Sequence, residues 1–211
     1  SFMGVELVVL DWSGVVSYDF RETWIATNKV FAELGLPAVS MEDRRKRYYA
    51  DWSRYFVEHG AIDAHAAIRR YNDFMRAGEK PSAIPGAPQA VRECTRVPKF
   101  VWSSHPQVEL EDDAKRYEVG ECFTALHGGI NKADPELLSA ELKRIGMIPS
   151  KVLYAGDTTV DLVLAGKLGM QSVAVVSDFG YQTREHIDAC QFQPTHGVVD
   201  HVRDVFKILS T

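Results

Sequence analysis

Two hydrophobic rhythms divide this chain. Residues 5–10 form an apolar run broken only by Glu6, closed by Asp11 and followed three residues later by Gly14. A run this short, bounded by an acid and a turn former, predicts a strand buried on both faces. From about residue 21 to 77 the spacing turns helical, with no convincing strand. Trp24, Ile25, Val30, Phe31 and Leu34 mark one helix, which Gly35 and Pro37 stop. Ser40 followed by Asp43 is an N-cap signal for a second helix, over roughly 41–58. Asp63 caps a third, with Ile68, Tyr71, Phe74 and Met75 on one side and its end near Gly78. The Pro- and Gly-rich stretch 80–88 reads as a hinge.

Beyond Pro88 strand and helix patterns alternate. A short helix near 89–94 leads to a strand at 99–102, then to Ser103-Ser104-His105-Pro106, where Pro106 suits the first turn of a helix. A short apolar segment at 122–126 precedes Gly128-Gly129-Ile130-Asn131-Lys132. Asp134-Pro135 opens a helix expected to turn Leu137, Leu138, Leu142 and Ile145 inward before Gly146 ends it. A strand at 151–155, a helix ending at Gly169, a strand at 172–176, a polar loop and a helix near 202–209 complete the chain. This order implies an α/β fold: a parallel sheet with right-handed crossovers and an inserted helical module.

Composition narrows the function classes. A chain of 211 residues accommodates one domain, or one domain with a sizeable insert. The net charge of −5 argues against a nucleic-acid or polyanion-binding surface. Cys94, Cys122 and Cys190 are odd in number and widely spaced, which suits core thiols in a reducing cytoplasm better than disulfides or a metal finger. No run approaches the roughly 20 apolar residues that span a bilayer, so no membrane partner is expected. No signal peptide is visible, and Ser1-Phe2-Met3 reads as an expression remnant. A monomer or homodimer is equally compatible with these properties.

Four predicted strand ends carry polar groups: Asp11 with Ser13, Ser103 with Ser104, Lys132, and Asp157 with Asp161. Strand carboxyl ends are where open α/β sheets bind ligands. Lys132-Ala133-Asp134-Pro135-Glu136 is followed by Tyr154-Ala155-Gly156-Asp157-Thr158-Thr159-Val160-Asp161 and by Ala165-Gly166. With Asp11-Trp12-Ser13-Gly14-Val15, which matches only in part, these motifs resemble the haloacid dehalogenase-like (HAD) hydrolase superfamily. Within it the chain is similar to phosphatase-like members with a helical cap, such as phosphoglycolate phosphatases and phosphonoacetaldehyde hydrolases. The resemblance covers nearly the whole chain. It implies a Rossmann-like parallel core over residues 4–16 and 86–211, with an α-helical cap over 17–85.

The chemistry it implies has a physical logic. Phosphoryl transfer needs an in-line nucleophile and positive charge around the transferring oxygens. Two carboxylates at one sheet edge repel unless a cation lies between them, and Mg²⁺ accepts such oxygen ligands together with a phosphate oxygen. Asp11 is then nucleophile and metal ligand, Asp157 the second carboxylate ligand, and the Ser13 backbone carbonyl a third. Lys132 balances nucleophile and phosphate, Ser103 and Ser104 bind phosphate, and Asp161 holds Lys132 or a metal-bound water from behind. Each has a plainer rival: a solvated Lys132, Ser103 or Asp157-Thr158 as helix caps, Trp12 as packing beside the site. Arg44-Arg45-Lys46-Arg47 reads as a solvated helix face.

Ser13 departs from the family pattern. Family phosphatases usually carry a second Asp there, which protonates the leaving oxygen and then activates water. Three readings follow. The chain is a Mg²⁺-dependent phosphatase of a small phosphorylated metabolite, with weakened or relayed acid–base chemistry for which His105 is a candidate. Alternatively it resembles phosphonoacetaldehyde hydrolases, which need a cap lysine for a Schiff base; Lys29 and Lys46 are candidates. In the third reading it is a silent relative that binds a ligand or partner.

Overall fold

The computed structural model describes residues 4–49 and 51–209; Ser1-Phe2-Met3 lies outside the described residues. The first half of the chain runs through β1 (Leu7–Leu10), β2 (Ser17–Tyr18), α1 (Phe20–Glu33), α2 (Met41–Lys46), α3 (Trp52–Glu58), α4 (Ala64–Ala77), β3 (Ser82–Ala83), α5 (Ala87–Glu93) and β4 (Lys99–Trp102). The second half follows with α6 (Gln107–Arg116), β5 (Ala125–His127), α7 (Pro135–Arg144), β6 (Val152–Gly156), α8 (Thr159–Leu168), β7 (Gln171–Val175), α9 (Arg184–Asp188), β8 (Val198–Val199) and α10 (Val202–Ile208). Residues up to Tyr18 and from Ala83 onward form one compact unit, and Asp19–Ser82 forms a second.

Six strands of the first unit make a parallel sheet in the order β5-β4-β1-β6-β7-β8. Side chains alternate across its faces, as a period of two requires. Val8 and Leu10 enter one layer with Val101, Leu153 and Val173, covered by Val91 of α5, Leu110 of α6 and Val205 of α10. Leu7 and Val9 enter the other with Phe100, Val152 and Tyr154, covered by Leu138 and Leu142 of α7 and Leu164 of α8. Burial on both faces is why β1 reads as an unbroken apolar run. β4 and β5 lie on one side of β1, and β6, β7 and β8 on the other. The winding reverses at β1, so the loops leaving it and its neighbours diverge into a crevice at their carboxyl ends.

The second unit is helical. The single helix expected over 41–58 is two: α2 stops at Lys46, and Asp51 starts α3 by accepting the Ser53 N–H at 3.0 Å. The break folds Trp52 and Tyr55 over the Arg44 guanidinium, 3.7 and 5.3 Å from their ring centres. Arg44 is thereby only 1% exposed, so the run 44–47 is not a uniformly solvated face. Aromatic faces attract a guanidinium and shield it from water. On α7, Leu138 and Leu142 point inward as expected, whereas Leu137 and Ile145 are 44% and 39% exposed. Leu137 stands about 100° round the helix from Leu138, and Ile145 lies beyond the last turn. Cys94 is buried, Cys122 and Cys190 are half-buried, and all three are free. Among the described residues no helix is long and apolar enough to cross a membrane.

Candidate active site

Asp11 is the first residue past β1 and is buried. Its Oδ1 accepts the Trp12 backbone N–H at 2.7 Å and meets the Lys132 ammonium at 2.6 Å. The turn that follows is tied to the Trp12 carbonyl, which accepts from the N–H groups of Val15, Val16 and Ser17 at 3.2, 2.9 and 3.1 Å. Within it Gly14 has φ +78°, and a Cβ there would stand 2.1 Å from Asp157 Oδ2. Both the left-handed backbone and the close approach require glycine.

Asp157 leaves β6 and is 1% exposed; its Oδ2 accepts the Tyr181 N–H at 2.8 Å. Lys132, in the loop after β5, reaches a second carboxylate, Asp161 Oδ1, at 2.9 Å. Asp161 sits in the first turn of α8, where Thr158 and Asp161 cap each other. The Tyr154 hydroxyl also donates to Asp161 Oδ1, at 2.9 Å. Oxygens of Asp11, Asp157 and Asp161 all lie within 4.8 Å of one another.

The charges in this cluster do not balance. Burial first, and then the Asp11 carboxylate beside it, push Asp157 well above the usual carboxylate range. Asp11 is also raised, by burial and by Asp161, against the pull of Lys132. Burial works against a charge on Lys132, yet Asp11 and Asp161 outweigh it and hold its pKa well above the ordinary lysine value. One ammonium cannot neutralise three buried carboxylates. A hard divalent cation fits this all-oxygen donor set and would supply the missing charge.

A sequence profile described as haloacid dehalogenase-like hydrolase matches residues 18–175. The chain is a haloacid dehalogenase-like hydrolase. The match begins beyond the Asp11-Trp12-Ser13-Gly14 turn. Phosphoglycolate phosphatase of Pseudomonas savastanoi pv. phaseolicola is 24% identical to this HAD hydrolase over 197 residues, covering 83% of this chain and 70% of that protein. A haloacid dehalogenase-like hydrolase from Streptococcus pneumoniae shares its fold with a TM-score of 0.83 at 18% identity, covering 98% of this chain and 99% of that one. A predicted phosphoglycolate phosphatase from Haemophilus somnus gives 0.79 at 16% identity, covering 97% and 98%. At such identities the structural likeness speaks for the fold.

In this HAD hydrolase the expected site residues are not equally placed. Asp11, Lys132, Asp157 and Asp161 converge as described. Ser13 is half-buried in the turn after Asp11. Ser103 is buried beyond β4, and its Oγ accepts the His105 N–H at 3.0 Å. It does not cap the next helix, whose N-cap is Pro106 with no side-chain cap. Ser104 is exposed. The His105 imidazole is turned toward Asp113, with Nε2 3.3 Å from Oδ2. Trp12 is fully buried and stacked on Tyr117 at 5.8 Å, which leaves no free face for a substrate ring. Lys29 and Lys46 are exposed side chains of the helical unit; Lys46 pairs with Glu42 at 3.0 Å, and Lys29 lies 5.6 Å over the Phe74 ring.

Several supporting residues carry no signal of their own in the sequence. Tyr154 reads there as one more apolar strand residue. Gln182, buried in the loop after β7, accepts the Thr159 N–H at 2.6 Å and so braces the start of α8 beside Asp157. Nothing local marks such a contact; only the neighbouring Gly180-Tyr181 hints at a tight loop. The Gly14 contact gives a direct prediction. Gly14→Ala should displace Asp157 and cost about 1–3 kcal/mol from overpacking, and any stabilisation that a divalent ion such as Mg²⁺ gives the wild type through these carboxylates should be lost. Thermal denaturation with and without the ion reads both effects.

Proposed function

We propose that this HAD hydrolase is a Mg²⁺-dependent phosphatase of a small phosphate monoester, working through an aspartyl-phosphate on Asp11. The observation that carries this reading is the buried Lys132 ammonium bridging Asp11 and Asp161, with Asp157 alongside. The curated relative's activity, phosphoglycolate phosphatase, supports the substrate class. Asp11, Asp157 and the Ser13 carbonyl would hold the ion, which supplies charge neutralisation and polarisation of a phosphate oxygen.

The chain's own groups do the rest. Asp11, aimed by the Trp12 N–H, attacks phosphorus; the ester P–O bond breaks as the aspartyl P–O bond forms. Lys132 neutralises the nucleophile and offsets charge on the transferring oxygens. Ser103 offers a hydroxyl to one of those oxygens. Water then cleaves the aspartyl-phosphate and returns the Asp11 carboxylate. Ser13 cannot readily donate and then accept a proton near neutrality, so the leaving oxygen must depart with little help. Rates should therefore rise steeply as the leaving alcohol becomes more acidic. We assign the helical unit the role of cap and, on the three free thiols, the protein a cytoplasmic setting.

The test is phosphate release from 2-phosphoglycolate, sugar phosphates, nucleotides and p-nitrophenyl phosphate. Release that needs Mg²⁺, stops with EDTA and is fastest for the aryl ester is the expected result. No release from any ester would defeat the reading.

A further inference from the structure

One buried carboxylate outside the acidic cluster gathers two of the loops that form the site. Asp113, on α6, is 2% exposed. Its Oδ2 accepts the Trp12 indole N–H at 3.3 Å and lies 3.3 Å from His105 Nε2, while its Oδ1 pairs with Arg116. Trp12 follows Asp11, and its main chain holds both the Asp11 carboxylate and the turn as far as Ser17. The indole has little room: Tyr117 stacks on it at 5.8 Å and Phe123 meets it edge-on at 6.2 Å. The Tyr117 hydroxyl in turn lies 3.0 Å from Ser17 Oγ, at the far end of the same turn. A ring so confined cannot move without moving the main chain beside Asp11. On the other loop, His105 donates its backbone N–H to Ser103 Oγ.

We infer that Asp113 is a positioning residue: through Trp12 and His105 it sets the Asp11 turn against the Ser103 turn, fixing where the nucleophile stands relative to the phosphate-binding hydroxyl. This rests on the phosphatase reading and adds to it a residue that touches neither substrate nor ion. A merely structural Asp113 would pin α6 through Arg116 and affect stability alone. Holding reacting groups in register is worth far more in rate than in stability, since a displacement of about 1 Å can cost about 10²-fold.

The test compares Trp12→Phe, Asp113→Ala, their double variant and Asp113→Asn, measuring kcat and KM for p-nitrophenyl phosphate and each melting temperature. Trp12→Phe and Asp113→Ala should each lower kcat by about 10- to 10²-fold with KM little changed, the mark of an interaction acting on the transition state. The double variant should be no slower than the slower single one, because both remove the same contact. Asp113→Asn, which still offers the indole an oxygen, should recover most of kcat. Wild-type kcat in Trp12→Phe or Asp113→Ala, losses that multiply in the double variant, or no recovery in Asp113→Asn would each overturn the inference. Should Asp113→Ala not fold, Trp12→Phe and Asp113→Asn decide it. A wild-type protein inactive on every ester removes the phosphatase reading and this inference together; an active one with unaffected variants removes the inference alone.

Discussion

Replacing Ser13 with Asp should raise turnover of alkyl phosphates by about 10²–10⁴-fold, the contribution of a positioned acid–base group. That corresponds to roughly 3–5 kcal/mol of barrier. Ser13 stands two residues after Asp11, and its hydroxyl holds its proton near neutrality. A carboxylic acid there could protonate the leaving alkoxide and then, as carboxylate, take a proton from the attacking water. The gain should be larger for alkyl than for aryl esters, because a phenolate leaves without protonation. One effect opposes it: a further carboxylate joins a site already holding three within 4.8 Å. On the proposed Mg²⁺-dependent reading that repulsion should make activity depend more strongly on the ion without cancelling the gain, since a bound divalent cation would offset the added charge. Steady-state kinetics of both ester types in wild type and variant measure it. Unchanged or lower turnover would mean that another group already moves the proton, or that the pocket performs other chemistry.

Lys132→Met should nearly abolish activity and also weaken the fold. The ammonium touches two carboxylates, at 2.6 and 2.9 Å, with only 9% of its side chain exposed. Removing preorganised positive charge from a transition state typically costs about 10²–10³ in kcat. Removing one partner of a buried ion pair costs about 3–5 kcal/mol of stability, because the remaining charges are left uncompensated. Urea denaturation and steady-state kinetics separate the two losses, and added Mg²⁺ should restore part of the stability but little of the rate. Arginine at this position should rescue neither. Its planar fork needs a wider space than the point between Asp11 and Asp161 provides. A fully active Lys132→Met would remove Lys132 from the site.

The site was more legible in the residue order than its surroundings. Asp11 and Asp157 each follow a strand, Asp161 lies in the first turn of α8 and Lys132 in the loop before α7, and it is the resemblance of the motifs around them to the family that singles them out in the sequence. The Thr158–Asp161 cap is a local feature. The helical insert is less legible. Its spacing points to one long helix where α2 and α3 stand, because the gain from closing Trp52 over Arg44 arises only when the segments pack. β8 and α9, of two and five residues, are too short to carry a period.

Order along the chain thus settles the layered α/β plan, the central place of β1 and the acidic and basic groups at the strand ends, since these rest on periodicities of two and 3.6 and on turn-forming residues that any short window contains. Folding of distant segments decides everything that depends on a pairing: Gly14 against Asp157, Lys132 on Asp11, Asp113 on the Trp12 indole 101 positions away. Such pairings depend on burial and on which faces meet, and no stretch of sequence holds both partners at once.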